Sequence, residues 1–545
     1  MVRPAQFLDT TDGQQRPYNR NMGICTRQLG QSAALGFAWV LTSAPAVAQN
    51  GSSFLDATRS TVSYTTTSIP AAATCESLRG VGGYDYSVVS AVLVEATATV
   101  PGHCRVYGVI PREIRFGVHL PTAWNGRFYM QGNGGYAGNA PDAAATLRTA
   151  MRAVAHGFAA ATTDTGHDAQ AEPLGTFAYK DLPKEIDYGF RAVHLTAVTA
   201  KALIEAYYRT PPHYSYWDGC STGGRQGLIE AQRFPTDFDG ILAGAPVLNF
   251  TDTQMAYIWN NQALARTPLT EAKVALVGEA VYARCDTADG LKDGVLTDPQ
   301  RCDFDPAVHL PVCDSSTTAN CFTPGEVDTL TAIYAGPTGN SQQLFPGQPL
   351  GAEAGGGWTN WIISDRGPTI GSRFSETFFK YLAFTPDEPD FDWRTFDFNA
   401  DPDRITIREI LDATDPDLSA FNARGGKMIT HFGWADTALN PMMSVNYYKN
   451  VGATLGVETT SEFYRLFMVP GMFHCTGGLG TDRFDAMTPL INWVESGSPP
   501  DLIPAARVEA GAVTRTRPLC PYPQIATYTG SGNIDNAANF VCAKP

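Results

Sequence analysis

The chain has 545 residues, 43% hydrophobic and 17% charged, with 52 Gly and 37 Pro. That length allows a large core and more than one domain at ~100–200 residues each, and the composition excludes wholesale disorder. Lys and Arg number 39 against 54 Asp and Glu, a formal net charge of −15. So acidic a chain repels phosphate backbones, and nucleic acid is excluded as an expected partner.

Residues 1–21 are polar. After Met22 come Arg27, the mostly small and apolar stretch Ala33–Val40, and Ala-Pro-Ala-Val-Ala ending at Ala48. A basic region, a short apolar region and an A-x-A site describe a secretory signal peptide starting at Met22 and cleaved after Ala48, so residues 1–48 read as a leader. No other run approaches the ~18 apolar residues that cross a bilayer. The expectation is a secreted or periplasmic protein without a membrane span.

In the first half, Arg105–Ile110, Ile114–Leu120, Arg127–Gln131 and Phe158–Thr163 read as strands. A long helix over Tyr188–Tyr208 follows, then a strand at Tyr214–Trp217, a helix from about Gly224 to Arg233 and a small-residue strand at Gly240–Ala245. Lys427–Phe432 and Tyr464–Val469 are later strands, each ending just before a polar loop. Strands alternating with helices define the α/β class, a mainly parallel sheet covered on both faces. Between about Leu248 and Asp417 the pattern changes to cysteines, Gly- and Pro-rich turns and concentrated aromatics, among them Trp259, Trp358, Trp361, Phe374 and Trp393. Residues 248–417 therefore read as a domain inserted into a core formed by 49–247 and 418–545.

Gly219-Cys220-Ser221-Thr222-Gly223 is G-x-S-x-G between a strand and a helix, the setting of a nucleophile elbow. Small flanking residues permit the tight turn, and the helix N-terminus offers N–H groups to a developing oxyanion. The acid and the histidine should follow in that order. Asp436 lies in the loop after Lys427–Phe432, and His474 lies one strand later, after Tyr464–Val469. His431 sits inside a strand and His167 precedes the serine, so His474 is preferred. One oxyanion donor should be the backbone N–H of Thr222. The second should come from the early Gly-rich loop Gly132–Tyr136, with Gly134 favoured over Gly135.

Beyond Cys25 there are ten cysteines, an even count that behind a signal peptide reads as five disulfides in an oxidising compartment. Sequence proximity suggests Cys75–Cys104, Cys285–Cys302, Cys313–Cys321 and Cys520–Cys542, although proximity alone does not fix connectivity. Zinc ligation is the competing use, and no C-x-x-C pair occurs. Cys220 and Cys475 would then pair with each other. They are the chain neighbours of Ser221 and His474, which a triad brings together, and a disulfide needs Cα atoms only ~4.4–6.8 Å apart.

This constellation resembles the tannase and feruloyl esterase family, whose signature is a serine and a histidine flanked by disulfide-bonded cysteines. The resemblance covers nearly the whole mature chain: GCSTGGRQG over Gly219–Gly227, the early QGNGG loop and the five-disulfide framework. It implies an α/β-hydrolase core with a large lid, and a serine esterase acting on small esters of aromatic acids, of feruloyl or galloyl type. Members also cleave mono(2-hydroxyethyl) terephthalate, the alternative substrate class. Arg366 or Arg373 would suit the free carboxylate of such a monoester, but neither aligns to a family position. A non-catalytic binding protein on a hydrolase scaffold is the alternative of another class, and the complete triad argues against it.

The resemblance further implies structural Ca²⁺ and no organic cofactor. Its ligands would be the side chains of Asp286, Asp289 and Asp293 and the carbonyls of Leu291 and Val295. Ca²⁺ takes six to eight hard oxygens, and three carboxylates this close repel one another unless a cation sits between them. The loop is not an EF-hand, because Thr297 stands where the twelfth-position Glu would be. Cys285 and Cys302 bracket it.

Overall fold

The computed structural model describes residues 53–64, 68–314 and 320–545; the expected leader and its cleavage site lie outside them. A nine-stranded sheet organises the molecule. In chain order its strands are β1 Ser87–Val94, β2 His103–Ile110, β3 Ile114–Pro121, β4 Arg127–Gln131, β5 Ala159–Thr163, β6 Tyr214–Cys220, β7 Gly240–Gly244, β8 Lys427–Gly433 and β9 Tyr464–Val469. Their order across the sheet is β9-β8-β7-β6-β4-β5-β3-β2-β1. The six strands from β9 to β5 are parallel, and β3, β2 and β1 run antiparallel at one edge.

Burial explains the division. Every residue of β4, β5 and β7 is buried, as parallel strands covered on both faces must be. In the edge strand β1 only Ala91 is fully buried, and Val89, Val92 and Leu93 face outward. With so little of β1 committed to the core, the sequence patterning did not reveal it.

Helices α1 Ala144–Ala155, α2 Ala192–Tyr208 and α3 Thr222–Arg233 connect the strands. The helix expected from Tyr188 begins instead with a π-helical turn over Asp187–Arg191, and regular α-helix starts at Ala192. The stretch 248–417 leaves from β7 and returns into β8, two neighbouring strands. It contributes α4 Phe250–Arg266, α5 Glu271–Cys285, α6 Pro324–Ala335 and α7 Ile370–Tyr381. Part of it has its own apolar cluster around Val277, Val281, Leu330, Ile333 and Trp358. Phe378 and Phe379 of α7 join the main core beside the sheet.

A C-terminal region that the sequence patterning did not reveal follows. It comprises the antiparallel strands β10 Arg483–Phe484, β11 Ile503–Glu509 and β12 Ala512–Leu519, and a hairpin of β13 Ile525–Tyr528 and β14 Phe540–Ala543.

All five disulfides form in the expected pairing, with Cα separations from 4.9 to 6.2 Å. Five disulfides fit folding in an oxidising compartment. Among the described residues no helix is long and apolar enough to cross a membrane.

Register is what gathers the site. Cys220 pairs across the sheet with Gly244, Gly244 with His431, and Gly433 with Val469. The carboxyl ends of β6, β7, β8 and β9 are therefore level, and the loops that follow them emerge at one edge, where open α/β sheets carry their sites.

Candidate active site

Ser221 follows β6 and caps α3 with φ 65° and ψ −124°, a conformation that L-residues rarely adopt. The turn demands its glycines. A Cβ on Gly219 would lie 2.5 Å from the Gly223 backbone, and one on Gly224 would lie 2.4 Å from the Gly244 carbonyl. Ser221 N–H donates to Gly244 O at 2.9 Å, tying the elbow to β7.

The Cys220–Cys475 disulfide spans 255 positions of sequence and sets its Cα atoms 6.2 Å apart. The neighbours of Ser221 and His474 are thereby joined. His474 Nδ1 lies 2.8 Å from Asp436 Oδ2. Asp436 is fully buried, and its Oδ1 accepts the N–H groups of Ala438 and Leu439, each at 2.9 Å. A carboxylate so placed fixes one face of the imidazole and its tautomer. The other histidines do different work. His431 is buried in β8 against Phe484, and burial pushes its pKa down to about 4. His167 is buried and stacked on Phe177 at 4.0 Å, with its pKa likewise down to about 4.

The Gly132–Tyr136 loop packs onto the start of α3. Glycine is required at 132, where a Cβ would lie 2.5 Å from Gly223 Cα. Gly132 N–H donates to Asp218 O at 2.8 Å, and Asn133 N–H donates to Gln226 Oε1 at 2.9 Å. Gly134 O accepts from Ala137 N–H, and Gly135, at φ 57°, accepts the Thr222 hydroxyl on its carbonyl at 2.6 Å. The loop thus stands beside Thr222. The side chains that hold it, Gln226, Tyr188 and Asn133, were not singled out from sequence. The one signal available was that Thr222 and Gln226 fall four residues apart on one helix face.

Aromatic residues of the 248–417 stretch wall this edge. The Trp361 ring meets the His474 ring edge-on at 5.7 Å and lies near parallel to Tyr257 at 6.5 Å. Phe374 stacks on Tyr136 at 4.9 Å and approaches Trp361 at 6.3 Å. Arg366 and Arg373 are both exposed.

The acidic loop after α5 follows hydrogen-bonding rules of its own. Asp286 Oδ1 accepts the N–H groups of Asp293 and Gly294, and Asp289 accepts from Leu291 N–H and the Thr297 hydroxyl. Asp289, Leu291, Asp293 and Val295 line a cavity of about 30 Å³ together with Arg515 and Arg517 of β12. Arg517 pairs with Asp293 Oδ2 at 2.6 Å. In kind these oxygens suit a hard cation, but backbone N–H groups and Arg517 already occupy several of them, and the three carboxylates do not gather their oxygens into one tight set. The nearby Asp289 charge adds to the burial that pushes the Asp293 carboxyl up.

Among the described residues His194, Glu230 and Asp237, away from that loop, bring ligand atoms within 4.8 Å of one another, an arrangement able to hold a metal ion. His194 Nδ1 is 2.6 Å from Asp237 Oδ2, and burial drives the Glu230 carboxyl well above its usual range. The Lys201 ammonium bonds the Asp237 backbone carbonyl beside it. Glu230 is nine residues beyond Ser221, ~13 Å along the helix, so the set is remote from the elbow.

A mostly parallel sheet with a serine on its strand–helix elbow defines the class, an α/β hydrolase. Residues 98–543 match the family described as tannase and feruloyl esterase, and the chain belongs to that family, as a carboxylic ester hydrolase. It is 35% identical to the mono(2-hydroxyethyl) terephthalate hydrolase of Piscinibacter sakaiensis, over 83% of this chain and 86% of that one. It is 34% identical to an uncharacterised esterase of Xanthomonas campestris pv. campestris, over 90% and 95% of the two chains. The crystal structure of feruloyl esterase B from Aspergillus oryzae superposes with a TM-score of 0.75 at 26% identity, covering 86% of this chain and 99% of that one.

Proposed function

We propose that the protein is a secreted or periplasmic serine esterase that hydrolyses esters of aromatic carboxylic acids through Ser221, His474 and Asp436. One observation carries this reading: the Cys220–Cys475 disulfide joins the serine loop to the histidine loop, while Asp436 bonds the imidazole from its other side.

In this mechanism His474 takes the Ser221 proton as the hydroxyl attacks the ester carbonyl. Asp436 keeps the tautomer and stabilises the imidazolium. The N–H of Thr222 and one from the Gly134–Gly135 segment hold the tetrahedral oxyanion, a contribution of ~3–4 kcal/mol per donor. The imidazolium protonates the departing alcohol, and water then releases the acid from the acyl-enzyme by the same route. Residues 248–417 act as the lid, and Trp361, Tyr257 and Phe374 supply flat apolar surface suited to an aromatic acyl group.

The acidic loop is the calcium site of this reading, held by Asp286, Asp289, Asp293 and the carbonyls of Leu291 and Val295. Calcium there would neutralise the clustered carboxylates and brace the lid against the C-terminal strands; it takes no part in a chemical step.

The test is a panel of methyl ferulate, methyl p-coumarate, methyl gallate, mono(2-hydroxyethyl) terephthalate and p-nitrophenyl acetate, with Ser221→Ala as control. Preference for a methyl aromatic ester, abolished by the substitution, supports the reading. Preference for the terephthalate monoester, the activity named for the Piscinibacter relative, moves the substrate to that class. Turnover that survives Ser221→Ala overturns the mechanism.

A further inference from the structure

The first two turns of α3 do more than present Ser221. Thr222, Arg225 and Gln226 stand at i, i+3 and i+4, one face of the helix, and all three are buried. Each reaches the Gly-rich loop or what holds it. The Thr222 hydroxyl donates to Gly135 O at 2.6 Å. Gln226 closes a ring with Asn133, accepting its backbone N–H at 2.9 Å and donating to its Oδ1 at 3.2 Å. Arg225 donates to the carbonyls of Tyr188 and Gly189, and its guanidinium lies 5.0 Å over the Tyr188 ring. Tyr188, fixed in this way, donates its hydroxyl to the same Gly135 carbonyl at 3.0 Å.

The Gly135 carbonyl therefore receives two hydroxyl donors from two elements. We propose that the side-chain hydroxyl of Thr222, seconded by that of Tyr188, is a positioning group of the oxyanion site, locking the Gly135–Tyr136 peptide plane so that the Gly135 carbonyl stays on the two hydroxyls and is not turned to the reacting centre. The inference rests on the acyl-transfer reading above and assigns a role to a side chain that this reading uses only for its backbone.

The physical need is specific to glycine. A glycine at 135 lowers the steric resistance to a flip of the Gly135–Tyr136 peptide, and that flip reverses the Gly135 carbonyl and the Tyr136 N–H. A carbonyl dipole pointing at a developing oxyanion would replace stabilisation by repulsion. Among the described residues the N–H groups of Gly134, Gly135 and Tyr136 bond no protein acceptor, so nothing else holds these planes from the donor side. From the acceptor side Ala137 N–H holds the Gly134–Gly135 plane, and the two hydroxyls hold the Gly135–Tyr136 plane. Because the lock matters where negative charge develops, its loss should appear in kcat and leave substrate binding alone.

The experiment compares Thr222→Val, Thr222→Ser and Tyr188→Phe with the parent on one chromogenic aromatic ester. Thr222→Val keeps the backbone N–H and nearly the same volume. It should lower kcat ~10–100-fold, less than the loss of a whole oxyanion donor, with KM within about twofold. Thr222→Ser, which restores the hydroxyl, should recover kcat to within about threefold. An arylboronic acid, which forms a tetrahedral adduct with the serine, should bind Thr222→Val weaker by the same factor as kcat/KM falls, while the product acid binds as it does to the parent. A purely structural role would not separate these two ligands. Equal kcat in parent and Thr222→Val, or equal losses in the Ser and Val variants, overturns the proposal while leaving the serine mechanism intact. Activity that survives Ser221→Ala overturns both. If Thr222→Val does not fold, Tyr188→Phe carries the same comparison: a kcat loss at constant KM supports the lock, and an unchanged kcat removes it.

Discussion

His474 and Asp436 meet at 2.8 Å between Nδ1 and Oδ2, and the other oxygen of Asp436 is occupied by the N–H groups of Ala438 and Leu439. That second pair of bonds dictates what Asp436→Asn would do. The amide oxygen must stay with the two backbone donors, so the NH₂ group turns to His474 and forces its Nδ1 to accept. Nε2 then carries the proton and cannot act as a base. We expect kcat to fall ~10³–10⁴-fold, with the melting temperature within a few degrees of the parent. Steady-state kinetics beside a thermal melt checks this, and a loss below tenfold would remove Asp436 from the mechanism.

The Cys220–Cys475 bridge closes a loop of 255 positions. On the chain-entropy account such a closure stabilises the folded state by up to ~5 kcal/mol. The double substitution Cys220→Ser/Cys475→Ser should therefore lower the melting temperature by several degrees. It should also cost activity at temperatures where the protein is still folded, because the serine and histidine loops lose their tie. Activity measured well below the melt separates the two effects. Full activity there would mean that the bridge serves stability alone.

Much of the core and the triad candidates was legible because they obey local rules. Tyr464–Val469 and Arg127–Gln131 are read at their observed boundaries from apolar runs, and Gly219–Gly223 declares a turn that only small residues can make. The disulfide partners were legible too, since serine and histidine neighbours must lie close in any triad. Edge strand Ser87–Val94 was not, because only Ala91 is fully buried and the pattern carries little core signal. Nor were Tyr188 and the C-terminal strands. The Tyr188 hydroxyl meets Gly135 across 53 positions, and Arg517 meets Asp293 across 224. Such pairings follow from tertiary packing and leave no local trace.

The acidic loop makes a prediction read by stability. With Asp289 and Asp293 beside one cavity, added Ca²⁺ should raise the melting temperature and a chelator should lower it. A ligand at 100 times its Kd contributes ~2.7 kcal/mol. Mg²⁺, which demands tighter octahedral geometry, should substitute poorly. Asp289→Asn should weaken the calcium response measured by calorimetry. A melt indifferent to both chelator and Ca²⁺ would leave the loop to the Arg517–Asp293 ion pair alone.

Burial of His431 predicts a pH dependence. Its pKa, about 4 in the folded protein against 6.5 ordinarily, means that the unfolded chain binds the proton first as pH falls. Stability is therefore full above about pH 6.5 and is lost as pH drops towards 4, by about 2 kcal/mol between pH 7 and 5. Asp164 and Glu353 act in the opposite sense, because burial raises their pKa values to about 6 and 7 and so favours the folded state on acidification. The parent profile sums these, so the informative quantity is a difference. His431→Asn should flatten the loss of melting temperature between pH 7 and 5 relative to the parent. Parallel profiles would show that His431 takes up its proton alike in the folded and unfolded states, which would overturn the depressed value.

Trp361 separates binding of an aromatic acyl group from the chemistry itself. Its ring stands edge-on to His474 at 5.7 Å and forms one wall with Tyr257 and Phe374. Removing such a surface costs a bound aromatic ring ~1–2 kcal/mol in contact and burial, so Trp361→Ala should raise KM for methyl ferulate about 10-fold. An acetyl group is too small to use the wall, and kcat/KM for p-nitrophenyl acetate should stay within about threefold of the parent. The comparison of the two esters on one variant is decisive, because a displaced His474 would depress both. Equal losses on both esters would make Trp361 a support for the histidine and return the choice of acyl group to other residues of the 248–417 stretch.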